Sequence, residues 1–240
     1  MAADADLQIF FDELFRAYGP QGWWPGDSAL EVVVGAILTQ NTNWRNVERA
    51  IARLREANAL SWRRLHALAA DELAELIRPA GTFRVKARRL KAFVDFFYSE
   101  YGGRWSRLAA APTETLRSQL LSVSGIGPET ADAILLYALQ RPKFVIDAYT
   151  RRVMVRHGKI DRKAGYGAVQ SLFEGSLPAD ERTYNEYHAL LVRLAKLNCR
   201  AKPQCSGCPL EKFPHTEEPM PKARPRRRAE RKRVTARNRR

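Results

Sequence analysis

Sulfur and long apolar runs are scarce in this sequence. The 240 residues include three cysteines and three methionines. No apolar run approaches the roughly 18 residues that a transmembrane helix requires, which argues against a membrane span. The opening stretch "MAADADLQIFFDELF" contains acids and no basic segment before an apolar core, so it lacks the pattern of a secretory signal. We therefore expect a soluble, intracellular protein of the cytoplasm.

Strand signals are also missing. No stretch alternates apolar and polar residues over a strand length, and no hairpin dipeptide separates two such stretches. Internal repeats are absent as well. Helical periodicity dominates instead, as in "DLQIFFDELFRAYG", where Phe10 and Leu14 fall on one face before Gly19-Pro20 ends the pattern. Because 45% of the residues are hydrophobic, the chain can build a core, and we predict an all-α fold.

Acidic residues are outnumbered, and the imbalance is local. The chain has 26 Asp and Glu against 41 Lys and Arg, for a net charge of +15. Residues 221–240 contain eleven basic residues and one glutamate, which is +10 of that total. This apolar-poor segment is predicted to be a disordered tail. Clustered cations favour nucleic acid, because they release counterions from phosphates; a solvated tail without a partner is the alternative.

A glycine-rich loop stands out in "SGIGPETADAILLYAL". Gly125 and Gly127, followed by Pro128, predict a tight turn at a helix start. Backbone N–H groups and the helix dipole at such a turn suit an anion such as phosphate. The next residue, Glu129, is itself an acid, which a simple phosphate site does not need.

A second motif, "FVIDAYTRR", places an acid after an apolar run at a helix start. Asp147 in this position is either a plain helix cap or a catalytic carboxylate. Arg151 and Arg152 follow within one turn, so they can hold the carboxylate or bind phosphate. The motif alone leaves both interpretations open.

Together, "LLSVSGIGPETADAILLYAL" and "FVIDAYTRRV" resemble the helix-hairpin-helix, the Gly/Pro-rich loop and the aspartate of the endonuclease III superfamily of DNA glycosylases. The likeness covers roughly residues 25–210. It implies an all-α, two-lobed fold with a central DNA-binding cleft. One lobe is a helical barrel, residues 28–147; the other joins residues 1–27 to residues 148–208, and residues 209–240 form the basic disordered tail.

The resemblance also implies roles for individual residues. Asp147 is expected to stabilise the positive charge that develops on the sugar when the glycosidic bond breaks. The DNA backbone is expected to contact the hairpin residues Gly125, Ile126, Gly127 and Thr130.

Glu129 departs from the endonuclease III pattern. It stands where endonuclease III carries a lysine that attacks the sugar. A carboxylate cannot form a Schiff base, so we expect hydrolysis without AP lyase activity. Lys143, which lies nearby in the sequence, is the alternative source of an amine.

The stretch "GWWPGDSALEVVVGAILTQNTNW" closely resembles the 3-methyladenine glycosylase branch of this superfamily. By that resemblance the base pocket contains Trp23, Trp24, Pro25 and Trp44, with Glu129 beside them. A base methylated on a ring nitrogen is cationic, and aromatic faces hold it by stacking. Trp44 is bulkier than the phenylalanine usual in that branch. Ordinary interlobe packing is the alternative role for these tryptophans.

Further DNA contacts follow from the same resemblance. Gln40 matches the residue that fills the gap left by a flipped nucleotide. Thr82 occupies the position of a wedge in the opposite strand, and Phe83 is the alternative wedge. Arg84 and Lys86 are expected to face phosphates.

The three cysteines cluster near the end of the domain, as Cys199, Cys205 and Cys208. This spacing resembles the [4Fe–4S] site of related enzymes, but Pro214 stands near the position of the fourth cysteine. His215 is the candidate replacement. Three states remain open: a cluster with His215 as an atypical ligand, a zinc site, or a metal-free remnant.

These observations lead to one preferred function. We expect a monomeric, nucleoid-associated, monofunctional glycosylase that removes alkylated purines of the 3-methyladenine type from damaged double-stranded DNA in base excision repair. An endonuclease-III-like enzyme with AP lyase activity on oxidised pyrimidines is the first alternative. A non-catalytic DNA-damage-binding protein is the second, and an RNA-binding protein led by the tail is a distant third.

Overall fold

A computed structural model describes residues 4–23 and 26–218 of the chain. Within these ranges all regular secondary structure is helical, which confirms the predicted all-α class. None of the described helices is both long enough and apolar enough to cross a membrane.

The described ranges contain twelve α-helices. They are α1 (Ala5–Tyr18), α2 (Ala29–Leu38), α3 (Trp44–Glu56), α4 (Trp62–Ala67), α5 (Ala70–Leu76), α6 (Phe83–Tyr101), α7 (Trp105–Ala110), α8 (Thr113–Ser122), α9 (Pro128–Ala133), α10 (Ala148–Arg156), α11 (Tyr166–Ser176) and α12 (Glu181–Leu197). A 3-10 turn, Arg78–Ala80, precedes α6, and a π-helical segment, Ile134–Ala138, continues α9.

Capping residues set several of the helix ends. Asp4 caps the start of α1 by accepting a hydrogen bond from the Asp6 amide, and Ser28 does the same for α2 through the Glu31 amide. Gly102 ends α6 in the left-handed conformation, with a φ of 63°. These polar and glycine positions are readable in the sequence, which is why the predicted helices agree with the structure.

The helices pack around one continuous hydrophobic core. Helix α12 packs against α1 and α10, whereas α6 packs against α2, α4, α5 and α7. Both α2 and α12 contact the π-helical segment Ile134–Ala138. This packing brings the start of α10, where Asp147 lies, close to α9 and to the middle of α12. The exact limits of the two predicted lobes stay a prediction.

A buried ion pair holds the hairpin formed by α8 and α9. Arg117 donates to both carboxylate oxygens of Asp132, with distances of 2.6 and 2.9 Å, and the Asp132 side chain is fully buried. The Gln170 amide from α11 also donates to Asp132 at 2.8 Å. The pairing ties three helices together beneath the glycine loop.

The predicted start of the disordered tail was wrong. Leu210 is fully buried in the core, and the Phe213 ring packs on Phe10 with centroids 4.8 Å apart. The Thr216 amide donates to the Arg156 carbonyl at 2.9 Å. Apolar side chains between the cysteines and residue 218 therefore fold back onto the domain. The strongly basic part of the predicted tail, residues 221–240, lies outside the described residues.

Candidate active site

A cavity of about 420 Å³ brings most of the predicted base-pocket residues together. Its lining includes Trp23, Gln40, Trp44, Glu129, Thr130 and Asp147, as predicted for one site. It also includes residues that we did not single out in the sequence, namely Arg89, Tyr137, Tyr149, His188 and Lys196. Trp24 and Pro25, the other two predicted pocket residues, lie outside the described residues.

Asp147 is both a helix cap and a cavity residue. One carboxylate oxygen accepts a hydrogen bond from the Thr150 amide at 2.7 Å, which starts α10. The other oxygen lies 3.6 Å from Nε2 of His188. Burial alone would raise the pKa of this carboxyl, but His188 and the Thr150 amide outweigh it, and the pKa lies below its usual value. The two roles left open by the sequence are compatible, since capping aims an ionised carboxylate at the cavity.

Glu129 carries the opposite shift. It lies in the first turn of α9, where it lines the cavity and is exposed. Desolvation by the surrounding walls, followed by the nearby charge of Asp147, raises the pKa of Glu129 to about 7. The cavity therefore contains two acids whose pKa values are shifted in opposite directions.

Aromatic rings form part of the cavity wall. Trp44 is the first residue of α3, directly after the Asn43 cap. The Trp23 ring lies edge-on to the His188 ring, with centroids 6.5 Å apart. The Lys196 ammonium lies 5.7 Å from the centre of the Trp23 ring. A cation therefore already stands over one of the aromatic faces predicted to hold the base.

The glycine loop between α8 and α9 adopts the geometry that its sequence predicts. Gly125 has a φ of +87°, which only glycine adopts without strain, and a Cβ added there would lie 2.7 Å from Cδ of Arg89. A Cβ added at Gly127 would meet no atom within 4 Å. Among the hydrogen bonds of the described residues, none uses the N–H of Gly125 or Gly127.

Ile126, by contrast, does not fit the phosphate-binding role that we predicted for it. Its amide donates to the Val123 carbonyl at 3.0 Å, and its side chain is 5% exposed. A backbone donor that is already paired within a turn cannot also bind an anion without breaking that turn. Ile126 instead anchors the loop in the core.

Gln40 connects the end of α2 to the hairpin. Its side-chain amide donates to Thr130 Oγ1 at 2.9 Å and to the Gly125 carbonyl at 3.2 Å. Arg89 of α6 donates to the Gln40 side-chain oxygen. Gln40 therefore stands at the cavity, where it was predicted to replace a flipped nucleotide, and must release these partners to do so. Arg89 was not predicted, because nothing in "RVKARRLKAF" separates it from its basic neighbours.

Four predicted DNA contacts lie at the start of α6. Thr82 is exposed and has a φ of 41°, which is uncommon for a β-branched residue. The Phe83 ring is partly buried, and the guanidinium groups of Arg78 and Arg84 lie 5.6 and 5.5 Å from its centre. Arg84 is exposed. The contacts of these three residues with DNA stay predictions.

Lys86 does not face phosphate, contrary to our expectation. It is 1% exposed, and its ammonium donates to the Ala80 carbonyl at 2.6 Å. Burial, followed by the charge of Arg89, lowers the pKa of Lys86 to about 8. Residues half a helical turn apart point to opposite faces of α6, and Lys86 falls on the core face.

The two arginines after Asp147 also serve the fold. Arg151 donates to the Ala164 carbonyl at 2.7 Å. Arg152 donates to the carbonyls of Cys199 and Ala195 at 2.6 and 3.0 Å. The Ala195 carbonyl lies in the last turn of α12, where carbonyls lack intrahelical donors, and Arg152 supplies one. Neither arginine pairs with Asp147 in the described residues, and their predicted contacts with phosphate stay predictions.

The cysteines line a second cavity, together with His157, His215 and Arg156. The Arg156 side chain donates to Cys199 Sγ at 3.1 Å, and its Nε atom is buried without a hydrogen-bond partner. Side-chain ligand atoms of Cys205, His215 and Glu217 lie within 4.8 Å of one another. His215 Nδ1 pairs with the Phe213 carbonyl at 2.8 Å, which leaves Nε2 as the ligand atom. This group offers one thiolate, one imidazole and one carboxylate, all of which are zinc ligands in proteins, and Cys199 and Cys208 line the same cavity.

Comparison with known proteins places this geometry in a family. The family model described as HhH-GPD superfamily base excision DNA repair protein matches residues 34–179. The chain belongs to this superfamily. The matched region contains both Asp147 and the hairpin of α8 and α9. Membership assigns the chain to base excision repair as a DNA glycosylase.

Individual relatives agree with the assignment. The chain is 49% identical over 202 residues to a Methanocaldococcus jannaschii protein with the provisional name DNA repair glycosylase, covering 83% of this chain and 91% of that protein. It is 25% identical over 180 residues to endonuclease III of Thermotoga maritima, covering 75% of this chain and 79% of that protein.

Two solved structures share the fold. A non-covalent endonuclease III–DNA complex superposes with a TM-score of 0.74 at 22% identity, covering 88% of this chain and 94% of that chain. The 3-methyladenine DNA glycosylase of H. pylori, bound to 1,N6-ethenoadenine, has a TM-score of 0.66 at 25% identity, covering 80% of this chain and 94% of that chain. The first comparison concerns the fold alone.

Proposed function

We propose that this protein is a monofunctional DNA glycosylase that releases alkylated purines from duplex DNA by hydrolysis. The observation that carries the proposal is the ionised carboxylate of Asp147 in a cavity walled by Trp23 and Trp44. Breaking the N-glycosidic bond leaves positive charge on the sugar. A fixed carboxylate in a partly desolvated site stabilises that charge and can orient the attacking water.

The pocket suits an alkylated purine in size and in chemistry. A volume of about 420 Å³ is in the range of small-ligand pockets. A cationic base gains roughly 0.5–2 kcal/mol from each aromatic face that it stacks on. The H. pylori enzyme that this chain resembles was solved with an alkylated adenine derivative. These points support alkylated purines as the substrate class.

Hydrolysis without strand cleavage follows from Glu129. The resemblance to endonuclease III puts this acid where a strand-cleaving enzyme carries its lysine, and a carboxylate cannot form a Schiff base. Lys143, the alternative lysine, pairs with Glu114 at 2.9 Å and with Glu174 at 3.7 Å. It is not among the residues that line the cavity.

Lys196 favours a second candidate function. Its side chain lines the same cavity as Asp147. A lysine beside the sugar can attack C1′, displace the base and form a Schiff base, after which the strand is cleaved. AP lyase activity through Lys196 is therefore the alternative that the experiment must separate.

The test uses duplex oligonucleotides that carry 3-methyladenine, 1,N6-ethenoadenine or an oxidised pyrimidine. Each is incubated with the protein, and samples are analysed with and without hot alkali. We expect cleavage of the alkylated strands only after alkali.

Borohydride is added in parallel to trap any Schiff base, with Lys196→Ala and Lys143→Ala as paired variants. A trapped complex that Lys196→Ala alone removes would establish the lyase alternative. No base release from any substrate would contradict the glycosylase proposal.

DNA binding by a monomer, with help from the basic tail, is part of the proposal, as is a cytoplasmic location on the nucleoid. Deleting residues 221–240, which contribute +10 of charge, should weaken binding to undamaged duplex and flatten its salt dependence. The measurement is the dissociation constant across a salt series. An unchanged slope would show that the tail does not contact DNA.

We also propose that the cysteine cavity holds a metal centre, with Cys199, Cys205, Cys208 and His215 as its ligands. Bound metal would cross-link positions within the segment after α12 and would stabilise the fold rather than take part in hydrolysis. Iron, sulfide and zinc contents of protein purified without oxygen test this, together with the visible absorption spectrum. Stoichiometric iron or zinc that falls in His215→Ala is expected; neither metal in the wild type would indicate a metal-free remnant.

A further inference from the structure

Two different parts of the chain lie beside the Asp147 carboxylate. The Thr150 amide, on the same helix, donates to one oxygen at 2.7 Å. His188, from the middle of α12, presents Nε2 to the other oxygen at 3.6 Å. The His188 side chain is 6% exposed, so solvent does not substitute for this neighbour.

A tyrosine holds the far side of the His188 ring. The Tyr137 hydroxyl lies 2.6 Å from His188 Nδ1, a hydrogen-bond distance. Burial, followed by the charge of Asp147, raises the pKa of Tyr137 well above its usual value, so the hydroxyl keeps its proton. A protonated hydroxyl can donate to Nδ1.

The carboxylate decides which ring nitrogen carries hydrogen. A bare Nε2 would point its lone pair at a negative oxygen, which is repulsive, so Nε2 carries the hydrogen. A hydrogen bond donated by Tyr137 to Nδ1 also requires the hydrogen of a neutral imidazole to be on Nε2. The order is then Tyr137 O–H to His188 Nδ1, and His188 Nε2–H toward Asp147. The 3.6 Å separation is longer than a hydrogen bond, as is common in a site without substrate.

We propose that His188, backed by Tyr137, is a positioning residue that orients the Asp147 carboxylate and keeps it ionised. This inference rests on the proposed function, because it assigns His188 a task in Asp147-assisted hydrolysis. It also explains why an acid can remain charged in a walled cavity next to a second acid. His188 was not identified from the sequence, since a single histidine within "TYNEYHALLVRLAKLNC" carries no motif.

Other titratable and charged groups around Asp147 must be taken into account when its titration is measured. Glu129 of α9 lines the cavity, and the charge of Asp147 contributes to its raised pKa. Arg89 of α6 and Lys196 of α12 line the same cavity, as does Tyr149 of α10. Glu129 titrates with a pKa of about 7 and would overlap the titration of interest. The comparison is therefore made in a Glu129→Gln background, which leaves Asp147 as the acid at the cavity.

The first measurement does not depend on activity. The full chain is labelled with ¹³C at aspartate carboxyl carbons, and the Asp147 signal is assigned by its loss in Asp147→Asn. We expect His188→Leu to raise the Asp147 titration midpoint by about 1 pH unit, because a group that stabilises the charged form is removed. Tyr137→Phe should raise it by less. Tyr184→Phe, a buried tyrosine on α12 outside this cluster, should not move it.

The second measurement follows single-turnover base release against pH. In His188→Leu the acidic limb of the pH–rate profile should move to higher pH by the same amount as the Asp147 titration midpoint measured by NMR. Base release at a given pH on that limb should be roughly tenfold slower. His188→Gln, which retains a side-chain N–H donor, should recover most of the loss. If His188→Leu does not fold, His188→Gln and Tyr137→Phe give the same comparison.

The two readouts separate two failures. An Asp147 midpoint that is unchanged in His188→Leu would overturn the positioning role, whatever the activity. A shifted midpoint in a protein that releases no base from any alkylated duplex would support the role of His188 at the carboxylate and contradict the proposed function. A shifted midpoint with an unshifted acid limb would show that His188 acts on Asp147 but not on the reaction.

Discussion

The two cavities of this protein hold their polar groups in different ways. The cavity around Asp147 collects acids, bases and aromatic rings from five helices and from the Trp23 segment, and it holds one acid ionised while raising the pKa of another. The cysteine cavity is organised by one buried side chain, Arg156, which donates to Cys199 Sγ and to the carbonyls of Arg200 and Ala201. The first arrangement adjusts charge for chemistry, and the second fixes a chain segment in place.

The comparison predicts that substitutions in the two cavities affect different measurements. Substitution of Asp147 itself should alter base release with little effect on folding. Changes around Arg156 should alter folding with little effect on base release by the folded fraction. The following predictions test this separation, from the largest expected effect to the smallest.

Asp147→Asn should slow base release by on the order of 10³-fold, since the developing positive charge loses its counter-charge. Asparagine caps a helix about as well as aspartate does, so the free energy of unfolding should change little. Single-turnover kinetics and thermal unfolding are measured on the same samples.

Asp180→Asn is the matched control for that substitution. Asp180 caps α12 by accepting from the Thr183 amide at 2.7 Å, the same geometry that Asp147 has with Thr150. It should retain full activity. Equal losses in both variants would mean that Asp147 acts only as a cap.

Arg156→Met should lower the free energy of unfolding by about 3 kcal/mol, because several buried acceptors lose their donor at about 1–3 kcal/mol each. Arg193→Met is the control: Arg193 also donates to a carbonyl, that of Tyr18 at 3.3 Å, but is exposed. Arg193→Met should change the free energy of unfolding by no more than about 0.5 kcal/mol. Denaturant unfolding measures both. A large loss of activity per folded molecule in Arg156→Met would break the proposed separation of the two cavities.

Gly125→Ala should cost about 1–3 kcal/mol of stability, since alanine at a φ of +87° is strained and its Cβ would press on Arg89. Gly127→Ala is the matched control two residues away, with a φ of −99° and no atom within 4 Å of the added Cβ. It should be neutral or slightly stabilising. Similar losses in both would show that the loop tolerates no side chain for reasons other than strain.

Glu129→Gln should change how stability depends on pH. The folded-state pKa of about 7 lies above the ordinary 4.5, so the folded protein binds a proton that the unfolded chain releases. Stability from this group therefore falls as the pH rises from 4.5 through 7, and Glu129→Gln should remove that fall. The measurement is the melting temperature across this pH range.

Glu114→Gln is the control with the opposite sign. Its hydrogen bond to Lys143 lowers the pKa of Glu114, so its contribution is present above the ordinary pKa and is lost as the pH falls through the folded-state value. Parallel pH profiles for wild type and Glu129→Gln would contradict the raised pKa of Glu129.

Local sequence was sufficient for the helices, the hairpin loop and the placement of Asp147. Periodicity, capping residues and glycines act over a few positions, so "SGIGPET" and "VIDAYT" predict their own turns and helix starts. The resemblance to the endonuclease III superfamily then supplied the connection between them, and the family comparison confirms it.

Long-range packing decided which charged side chains serve the site. Lys86 and Arg152 looked like surface cations, but buried carbonyls of Ala80 and Cys199 take their hydrogen bonds. Arg89 and His188 reach the cavity from α6 and α12, far along the chain from Asp147. A basic or imidazole side chain has the same local pattern in either role. Its function depends on which unpaired carbonyl or carboxylate the fold places beside it, and only the tertiary structure provides that information.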